Sequence, residues 1–274
     1  GGRRRSNRPA QGKSIRVKLP LTLKEARDGV VKTLRVSVLD LCGACDGSGA
    51  AGGTAPVPCQ QCGGSGEERR VERSVFGQFV SVGPCSRCHG EGRVIADPCG
   101  SCHGDGRART EREVRVEVPA GVSSENYITL RREGNVGPKG GPRGDIIVLL
   151  DVQEDERFVR EGSNLVLELP ITFSQAALGA QVAVPTLDGR ARVDIPGGIQ
   201  SGEVIRIRGE GLPELNGRGR GDLLVRVMVW IPERLTAEQE RAIKALQAVE
   251  DSAPEKVDAS DRRGFWSRVK EALG

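Results

Sequence analysis

Residues 42–49 read CGACDGSG, and the same pattern of two cysteines and two glycines returns as CQQCGGSG (59–66), CSRCHGEG (85–92) and CGSCHGDG (99–106). These four copies contain all eight cysteines of the chain. A C-x-x-C turn places two sulfurs on one side of a tight knuckle, and a structural Zn²⁺ ion takes four such ligands in a tetrahedron. Four knuckles therefore predict two zinc sites, with the glycines at positive φ where the chain turns back.

A longer repeat lies outside the cysteines. IRVKLPLTLKEARDGVVKTLRV (15–36) resembles LVLELPITFSQAALGAQVAV (165–184), at an offset of 150 residues. VEVPAGVSSENYITLRREG (116–134) resembles VDIPGGIQSGEVIRIRGEG (193–211), at an offset of 77. The difference between the offsets means that the first copy carries about 73 extra residues, which include the Cys-rich stretch. We therefore predict two copies of one domain, with an insertion in the first.

Each copy has the sequence pattern of a small β domain. Apolar residues alternate with polar ones at 15–19, 114–118 and 165–169, as in half-buried strands. One short helix is expected in each copy, beginning at Thr22 or Thr172 and ending at Gly29 or Gly179. The predicted fold class is mostly β: two tandem duplicated β-sandwich domains, an elongated two-zinc Cys-rich arm inserted in the first, and a C-terminal helix.

The domain boundaries follow from these patterns. We predict a linker (1–12), a first β domain (13–41 and 107–157), the Cys-rich zinc-binding arm (42–106), a second β domain (158–233), a C-terminal helix (234–249) and a flexible tail (250–274). The tail contains a brief amphipathic helix with Phe265, Trp266, Val269 and Leu273 on its apolar face.

The helix after 233 has two interpretations. Thr236 and Gln239 form a capping box, and Ile243 and Leu246 share one face. This short apolar stripe could pack against its own domain or form a dimer contact.

The four knuckles could pair in three ways. Both ends of the insertion must return to the same domain, which favours a nested arrangement. In that arrangement one site is formed by Cys42, Cys45, Cys99 and Cys102, and the other by Cys59, Cys62, Cys85 and Cys88. Sequential pairing, first with second and third with fourth, is the main alternative.

Composition narrows the class of protein. The 41 basic and 37 acidic residues give a net charge of +4, which is too small to indicate a nucleic-acid binder by itself. No apolar run approaches the roughly 20 residues of a membrane span. Regular C-x-x-C pairs are typical of metal sites in a reducing compartment rather than of secretory disulfides. We expect a cytoplasmic protein with no membrane partner.

Catalysis is not expected. His89 and His103, the only histidines, directly follow the second cysteine of a knuckle, and each predicted zinc already has four thiolates. We expect both side chains to face solvent or to hydrogen-bond beside the site. The sequence has no G-x-S-x-G, H-E-x-x-H or phosphate-loop motif. Redox-active C-x-x-C pairs usually open a helix, so thiol–disulfide exchange is the weaker alternative.

Taken together, these features resemble the type I DnaJ co-chaperones. The resemblance runs over residues 13–249 and includes ALGAQVAVPTLDG (177–189) and GRGRGDLLV (217–225) besides the four C-x-x-C-x-G-x-G knuckles. It implies nested zinc sites and a homodimer formed through the C-terminal helix. It also implies unfolded polypeptide clients and a DnaK-type ATP-dependent chaperone, with its nucleotide exchange factor, as partners.

The family's J-domain has no counterpart in this sequence, because neither histidine precedes a proline. We therefore expect the chain to bind clients without stimulating the partner's ATPase. The opening residues GGRRRSNRPAQG resemble the end of the linker that follows a J-domain.

The resemblance also places a shallow apolar groove on the first β domain, lined by Ile15, Leu34, Val36, Val114 and Phe158. An extended client segment could add to a sheet edge there, with apolar side chains entering pockets. Ordinary core packing is the simpler interpretation of the same five residues.

The predicted function is therefore that of a co-chaperone region that binds unfolded polypeptides, prevents their aggregation and hands them to a DnaK-type chaperone. A zinc-containing nucleic-acid binder and a thiol–disulfide oxidoreductase are the alternatives.

Overall fold

A computed structural model of the chain describes residues 10–74, 77–215 and 217–252. The β-strands of this part are β1 (Ile15–Leu21), β2 (Val30–Leu41), β3 (Val57–Pro58), β4 (Glu67–Ser74), β5 (Gly77–Pro84), β6 (Arg93–Val94), β7 (Arg107–Val118), β8 (Tyr127–Leu130), β9 (Ile146–Val152), β10 (Phe158–Glu161), β11 (Asn164–Ile171), β12 (Ala180–Pro185), β13 (Arg190–Ile195), β14 (Val204–Ile207) and β15 (Leu223–Val229). Its α-helices are α1 (Leu23–Asp28), α2 (Phe173–Leu178) and α3 (Ala237–Gln247).

The chain divides into two compact units. The first comprises the described residues of Gly1–Pro20, Val30–Val118 and Ser123–Asp151, and the second those of Leu21–Gly29, Pro119–Val122 and Val152–Gly274. The first unit contains a three-stranded sheet in the order β1-β9-β8 and the two-stranded ladder β2–β7. The second contains a four-stranded sheet in the order β10-β11-β15-β14 and the ladder β12–β13.

The duplication read from the sequence is present in the element bounds. Helix α2 begins and ends 150 residues after α1, and strands β14 and β15 begin and end 77 residues after β8 and β9. Hydrogen bonds repeat as well: the Ile15 N–H donates to the Asp145 carbonyl and the Leu165 N–H to the Asp222 carbonyl, both at 2.9 Å. The predicted fold class, mostly β with duplicated units, an inserted Cys-rich arm and a C-terminal helix, is confirmed.

The arm takes the place of a short turn. In the second copy β12 and β13 pair from Ala180↔Ile195 to Pro185↔Arg190, and residues 186–189 connect them. In the first copy the same register runs from Val30↔Val118 to Arg35↔Glu113 and then continues to Leu41↔Arg107. The arm therefore begins where the ladder β2–β7 ends, after the pair Leu41↔Arg107.

The predicted helix caps are also confirmed. Thr22 and Thr172 each accept a hydrogen bond from the backbone three residues on, and Glu25 and Gln175 bond back to complete capping boxes. Gly29 and Gly179 end the two helices with φ of 74° and 82°. Positive φ of this size suits glycine because it has no Cβ to clash with the backbone.

Helix α3 begins with the predicted capping box at Thr236 and Gln239. None of its residues is buried against the described part of the chain, and Ile243 and Leu246 are 47% and 40% exposed. Within the described residues, α3 therefore does not pack against its own domain.

The amphipathic helix predicted at Phe265, Trp266, Val269 and Leu273 lies outside the described residues. Within the described part, no helix is both long enough and apolar enough to cross a membrane.

The two copies supply a matched test of close packing. Gly121 and Gly198 are equivalent and have φ of 86° and 81°. A Cβ on Gly121 would lie 2.5 Å from the Pro213 carbonyl oxygen, whereas a Cβ on Gly198 would meet open space. We expect Gly198→Ala to cost about 1–2 kcal/mol for its backbone conformation and Gly121→Ala to cost roughly 1–3 kcal/mol more for the clash.

Urea unfolding of the two variants, followed by circular dichroism, measures the difference. Equal losses of stability would show that the approach of the Pro213 carbonyl is not tight.

Candidate metal centres in the Cys-rich arm

The eight sulfurs form two clusters. The inner cluster, next to the ladder β2–β7, contains Cys42, Cys45, Cys99 and Cys102, and the outer cluster contains Cys59, Cys62, Cys85 and Cys88. Within each cluster the four sulfurs lie within 4.8 Å of one another. The first knuckle thus meets the fourth and the second meets the third, which is the nested arrangement and not the sequential one.

The spacing of the sulfurs fits a tetrahedral metal. The Sγ atoms of Cys42 and Cys99 are 4.0 Å apart, as are those of Cys59 and Cys85. Cys45 to Cys102 and Cys62 to Cys88 are 3.7 Å. Zinc–sulfur bonds of 2.3 Å in a tetrahedron require sulfurs about 3.8 Å apart, whereas a disulfide requires about 2.05 Å. All eight cysteines are free, so each cluster could hold a metal ion.

The backbone supports the sulfurs. The last glycine of each knuckle donates its N–H to the sulfur of the second cysteine four residues earlier, from Gly49, Gly66, Gly92 and Gly106, at 3.2 to 3.3 Å. Donors aimed at sulfur favour the thiolate, which is the form that binds metal. These four donors follow from the fixed C-x-x-C-x-G-x-G spacing, although sequence reasoning assigned those glycines only to turns.

The glycines also let paired knuckles touch. All eight that close the knuckles have positive φ, as predicted. A Cβ on Gly66 would lie 2.6 Å from the Gly90 carbonyl oxygen, and one on Gly92 would lie 2.3 Å from that of Gly64. The inner cluster has the same reciprocal contacts through Gly49 and Gly106. Each pair of knuckles is therefore joined by main-chain contact in addition to the shared sulfurs.

Main-chain hydrogen bonds complete this pairing. The Cys59 N–H donates to the Gly92 carbonyl at 2.8 Å, and the Cys85 N–H donates to the Gly66 carbonyl at 2.9 Å. In the inner cluster the N–H groups of Cys42 and Cys99 make the equivalent bonds at 2.9 and 2.8 Å. The two knuckles of a cluster are thus related by a local pseudo-twofold, which places their four sulfurs together.

The thiols of a cluster differ in acidity. The N–H groups of Cys102 and Ser101 lower the pKa of Cys99 to about 7. Burial acts to raise the pKa of Cys62, but the N–H groups of Gly66 and Gly64 outweigh it and lower that pKa to about 6. The N–H of Ala44 acts to lower the pKa of Cys42, yet burial and the neighbouring thiols raise it to about 11. A cation that replaces the shared protons removes this competition between thiols.

Neither histidine belongs to a sulfur cluster. His89 and His103 are exposed and have φ of 49° and 51°. Asp46 and Gly63 occupy the same position in the other two knuckles, with φ of 46° and 60°. The position after the second cysteine thus needs a left-handed turn, and the two histidines lie there facing solvent.

Short strands connect the clusters. Beyond the inner cluster, Ala50 pairs with Pro98 and β3 pairs with β6. Beyond the outer cluster, β4 and β5 form a hairpin from Glu67↔Pro84 to Ser74↔Gly77. The arm is therefore a nested ladder in which each outward step pairs an earlier segment with a later one.

The structure brings together three of the five predicted groove residues. Leu34 and Val114 are directly opposite each other in the ladder β2–β7, and Val36 lies on the same face. Ile15 is on β1, in the other sheet of the first unit, and Phe158 is on β10 in the second unit. Val36, Val114 and Phe158 are 3%, 6% and 3% exposed, whereas Ile15 and Leu34 are half-buried.

Known proteins with similar sequences are consistent with this architecture. The family model of the DnaJ C terminal domain matches residues 15–232. "Chaperone protein DnaJ" of Roseiflexus sp. (strain RS-1) is 46% identical over 260 residues, which cover 95% of this chain and 69% of the relative. The protein of the same name from Acetivibrio thermocellus is 40% identical over 267 residues, covering 97% of this chain and 68% of the relative.

A third relative of that name, from Maridesulfovibrio salexigens, is 43% identical over 256 residues, covering 93% of this chain and 68% of its own length. The family model, these relatives and the four paired knuckles agree, and the chain belongs to the DnaJ family, of which it carries the C-terminal domain and the Cys-rich region.

Proposed function

We propose that this chain is the client-binding and dimerisation region of a DnaJ-type co-chaperone. It binds exposed apolar segments of unfolded polypeptides in the cytoplasm, limits their aggregation and passes them to a DnaK-type ATP-dependent chaperone. The observation that supports this most strongly is the family match, which extends over both duplicated units and includes both sulfur clusters. The chain acts by binding, and ATP hydrolysis belongs to the DnaK-type partner, whose nucleotide exchange factor is a further expected partner.

The proposed client site is the face of the ladder β2–β7 beside the arm. Leu34 is half-buried there and would contact the client, while Val36 and Val114 form the floor. Among the described residues, each strand of this two-stranded ladder has one edge that pairs with no other strand. That edge of β2 already bonds to residues 135–136 at Leu39, and next to Leu34 it could pair with an extended segment. Main-chain pairing is independent of sequence, which suits a protein that accepts many clients. On the resemblance alone, Ile15 of the first unit and Phe158 of the second unit are also assigned to client binding.

Placing a charge at Leu34, the half-buried residue of the proposed client site, tests that site. We expect Leu34→Asp to reduce suppression of aggregation of a chemically denatured model protein several-fold, because a carboxylate in the groove must be desolvated when an apolar segment binds. Light scattering measures the aggregation. Thr33→Asp, which adds the same charge on the exposed face of the same strand, is the matched control.

Leu34→Ala is a second variant in case Leu34→Asp does not fold, since it removes apolar contact area without adding charge. Thermal unfolding is followed for all three variants. Normal suppression by both Leu34 variants would contradict the proposed site.

We also propose that each cluster binds one Zn²⁺ ion, for which the sulfur spacing is the support. Zinc bound to four thiolates supplies a structural cross-link. The buried side chains of the arm in the described residues are Ala50 and seven of the eight cysteines, all but the partly buried Cys62. Apolar burial therefore contributes little there, and metal binding would supply most of the folding free energy.

Removing the outer cluster separates structure from function. With Cys59, Cys62, Cys85 and Cys88 all changed to Ser, we expect bound zinc to fall from two ions to one while both β units keep their circular dichroism. Client transfer should weaken, because the arm beyond the inner cluster loses its cross-link. The readout is refolding of a denatured enzyme by the DnaK system, with this chain joined to a J-domain.

His89→Asn with His103→Asn is the control, since it changes the residues next to the clusters and should retain two ions. Unchanged refolding by the variant with four serines would count against a functional role for the outer cluster.

A homodimer formed through α3 is the last part of the proposal. The support is the apolar stripe of Ile243 and Leu246, which is exposed in the described chain. Two copies joined there would present two weak client sites together, and the second site would bind at a high effective concentration.

A further inference from the structure

The loop of residues 134–144, between β8 and β9, holds the base of the arm. The Leu39 N–H donates to Asn135 Oδ1 at 2.7 Å, and the Val136 N–H donates to the Leu39 carbonyl at 2.8 Å. From the other strand of the ladder, the Arg107 guanidinium donates to the Val136 carbonyl at 3.1 Å. The loop is therefore hydrogen-bonded to both strands where the chain enters and leaves the arm.

The same loop also reaches the third knuckle. Lys139 Nζ lies 2.7 Å from Glu91 Oε1, and Glu91 is part of the knuckle that supplies two sulfurs to the outer cluster. Lys139 has φ of 56°, a conformation that residues with a side chain seldom adopt. Its backbone is thus held in an uncommon form at the residue that touches the arm, which is a pattern associated with function.

The space beside this ion pair is open. Lys139 and Glu91 line a cleft of about 410 Å³ together with Pro56, Ile95 and Pro138. Close-packed side chains resist movement, and an open cleft does not. We therefore expect that the arm beyond the inner cluster can move against the loop without first breaking a packed interface at this cleft.

The far side of the loop is fixed. The Gly12 N–H donates to the Pro142 carbonyl at 2.8 Å. A Cβ on Gly137 or Gly141 would lie 2.0 or 2.2 Å from the Ala10 carbonyl oxygen. The segment that leads into β1 thus passes tightly over the loop, which leaves residues 138–140 as the part that faces the arm.

The second copy has no arm, so comparing its equivalent loop with loop 134–144 shows which features of the loop accompany the arm. Its equivalent loop, 211–221, keeps the same closing bond, since the Gly134 N–H donates to the Gly144 carbonyl and the Gly211 N–H to the Gly221 carbonyl, both at 2.9 Å. At the position of Asn135, however, it has Leu212, which is fully buried. At this position the copy without an arm has a core residue, and the copy with the arm has a residue that bonds to the arm's base.

We propose that loop 134–144 is a bracket for the arm, and that the Lys139–Glu91 ion pair is a salt-sensitive latch that holds the outer cluster in one direction relative to the ladder β2–β7. The side chains are 61% and 48% exposed, so the pair is weak and its loss should raise the released population about two- to fivefold. Salt shortens the Debye length from about 10 Å at 0.1 M to about 3 Å at 1 M and should release the latch in the same way.

The test is a distance distribution between two spin labels, one at Ser81 on the hairpin and one at Glu125 in the first unit. Both labels are attached to genetically encoded keto amino acids, so all eight cysteines stay free for metal. We expect a narrow distribution at low salt, with a small released fraction at other distances. In Lys139→Glu that fraction should be about two- to fivefold larger and the distribution correspondingly broader, and the distribution should be narrow again in the charge swap Lys139→Glu with Glu91→Lys. High salt should broaden the distribution of the unsubstituted chain.

Arg35→Glu is the matched control, because it makes the same change in net charge and breaks an exposed 2.9 Å pair with Glu113 on the ladder. It should leave the distribution narrow. A distribution that is equally broad with and without Lys139→Glu would overturn the latch, as would failure of the charge swap to restore it. Zinc content is measured in every sample, and broadening that comes with loss of zinc would assign the effect to the outer cluster and overturn the latch too.

Discussion

The pairing of one glycine-rich knuckle with another is the contact on which the arm depends. Two main-chain segments approach so closely that a Cβ on Gly92 would lie 2.3 Å from a carbonyl oxygen. The same approach aligns reciprocal N–H···O bonds and brings four sulfurs to within 4.8 Å of one another. In an arm whose described residues form almost no apolar core, this geometry and the cation that we propose for it would take the place of hydrophobic burial.

The duplication explains where the arm stands. A four-residue turn at 186–189 in one copy corresponds to the whole insertion in the other, and the ladder keeps its register on both sides of that point. The inner cluster is therefore a direct continuation of β2 and β7. A face that carries Leu34 and Val114 consequently lies on the same two strands that lead to the inner cluster.

Much of this could be predicted from the sequence because the signals are local or periodic. The knuckles, the caps at Thr22 and Thr172, and the offset between the copies all depend on residues near one another in the chain or on direct repetition. The nested pairing was predictable because both ends of an insertion must return to one domain.

Other features depend on contacts that leave no local pattern. Arg27 is buried, and it pairs with Asp28 at 2.7 Å and with Asp188, 161 residues away. Nothing in the helix sequence distinguishes it from an exposed arginine. The burial of Val36 and Val114 and the exposure of α3 are likewise set by what packs against them, which spacing alone does not encode. The ion pair between Lys139 and Glu91 is a third case, because the two segments that it joins show no sequence similarity to each other.

We propose that each knuckle pair holds one zinc ion through four sulfurs. X-ray absorption at the zinc edge, measured together with the zinc-to-protein ratio on chain purified without chelator, tests it most directly. We expect two zinc ions per chain and a first shell of four sulfurs at about 2.3 Å. One ion per chain, or nitrogen or oxygen in the first shell, would contradict the claim.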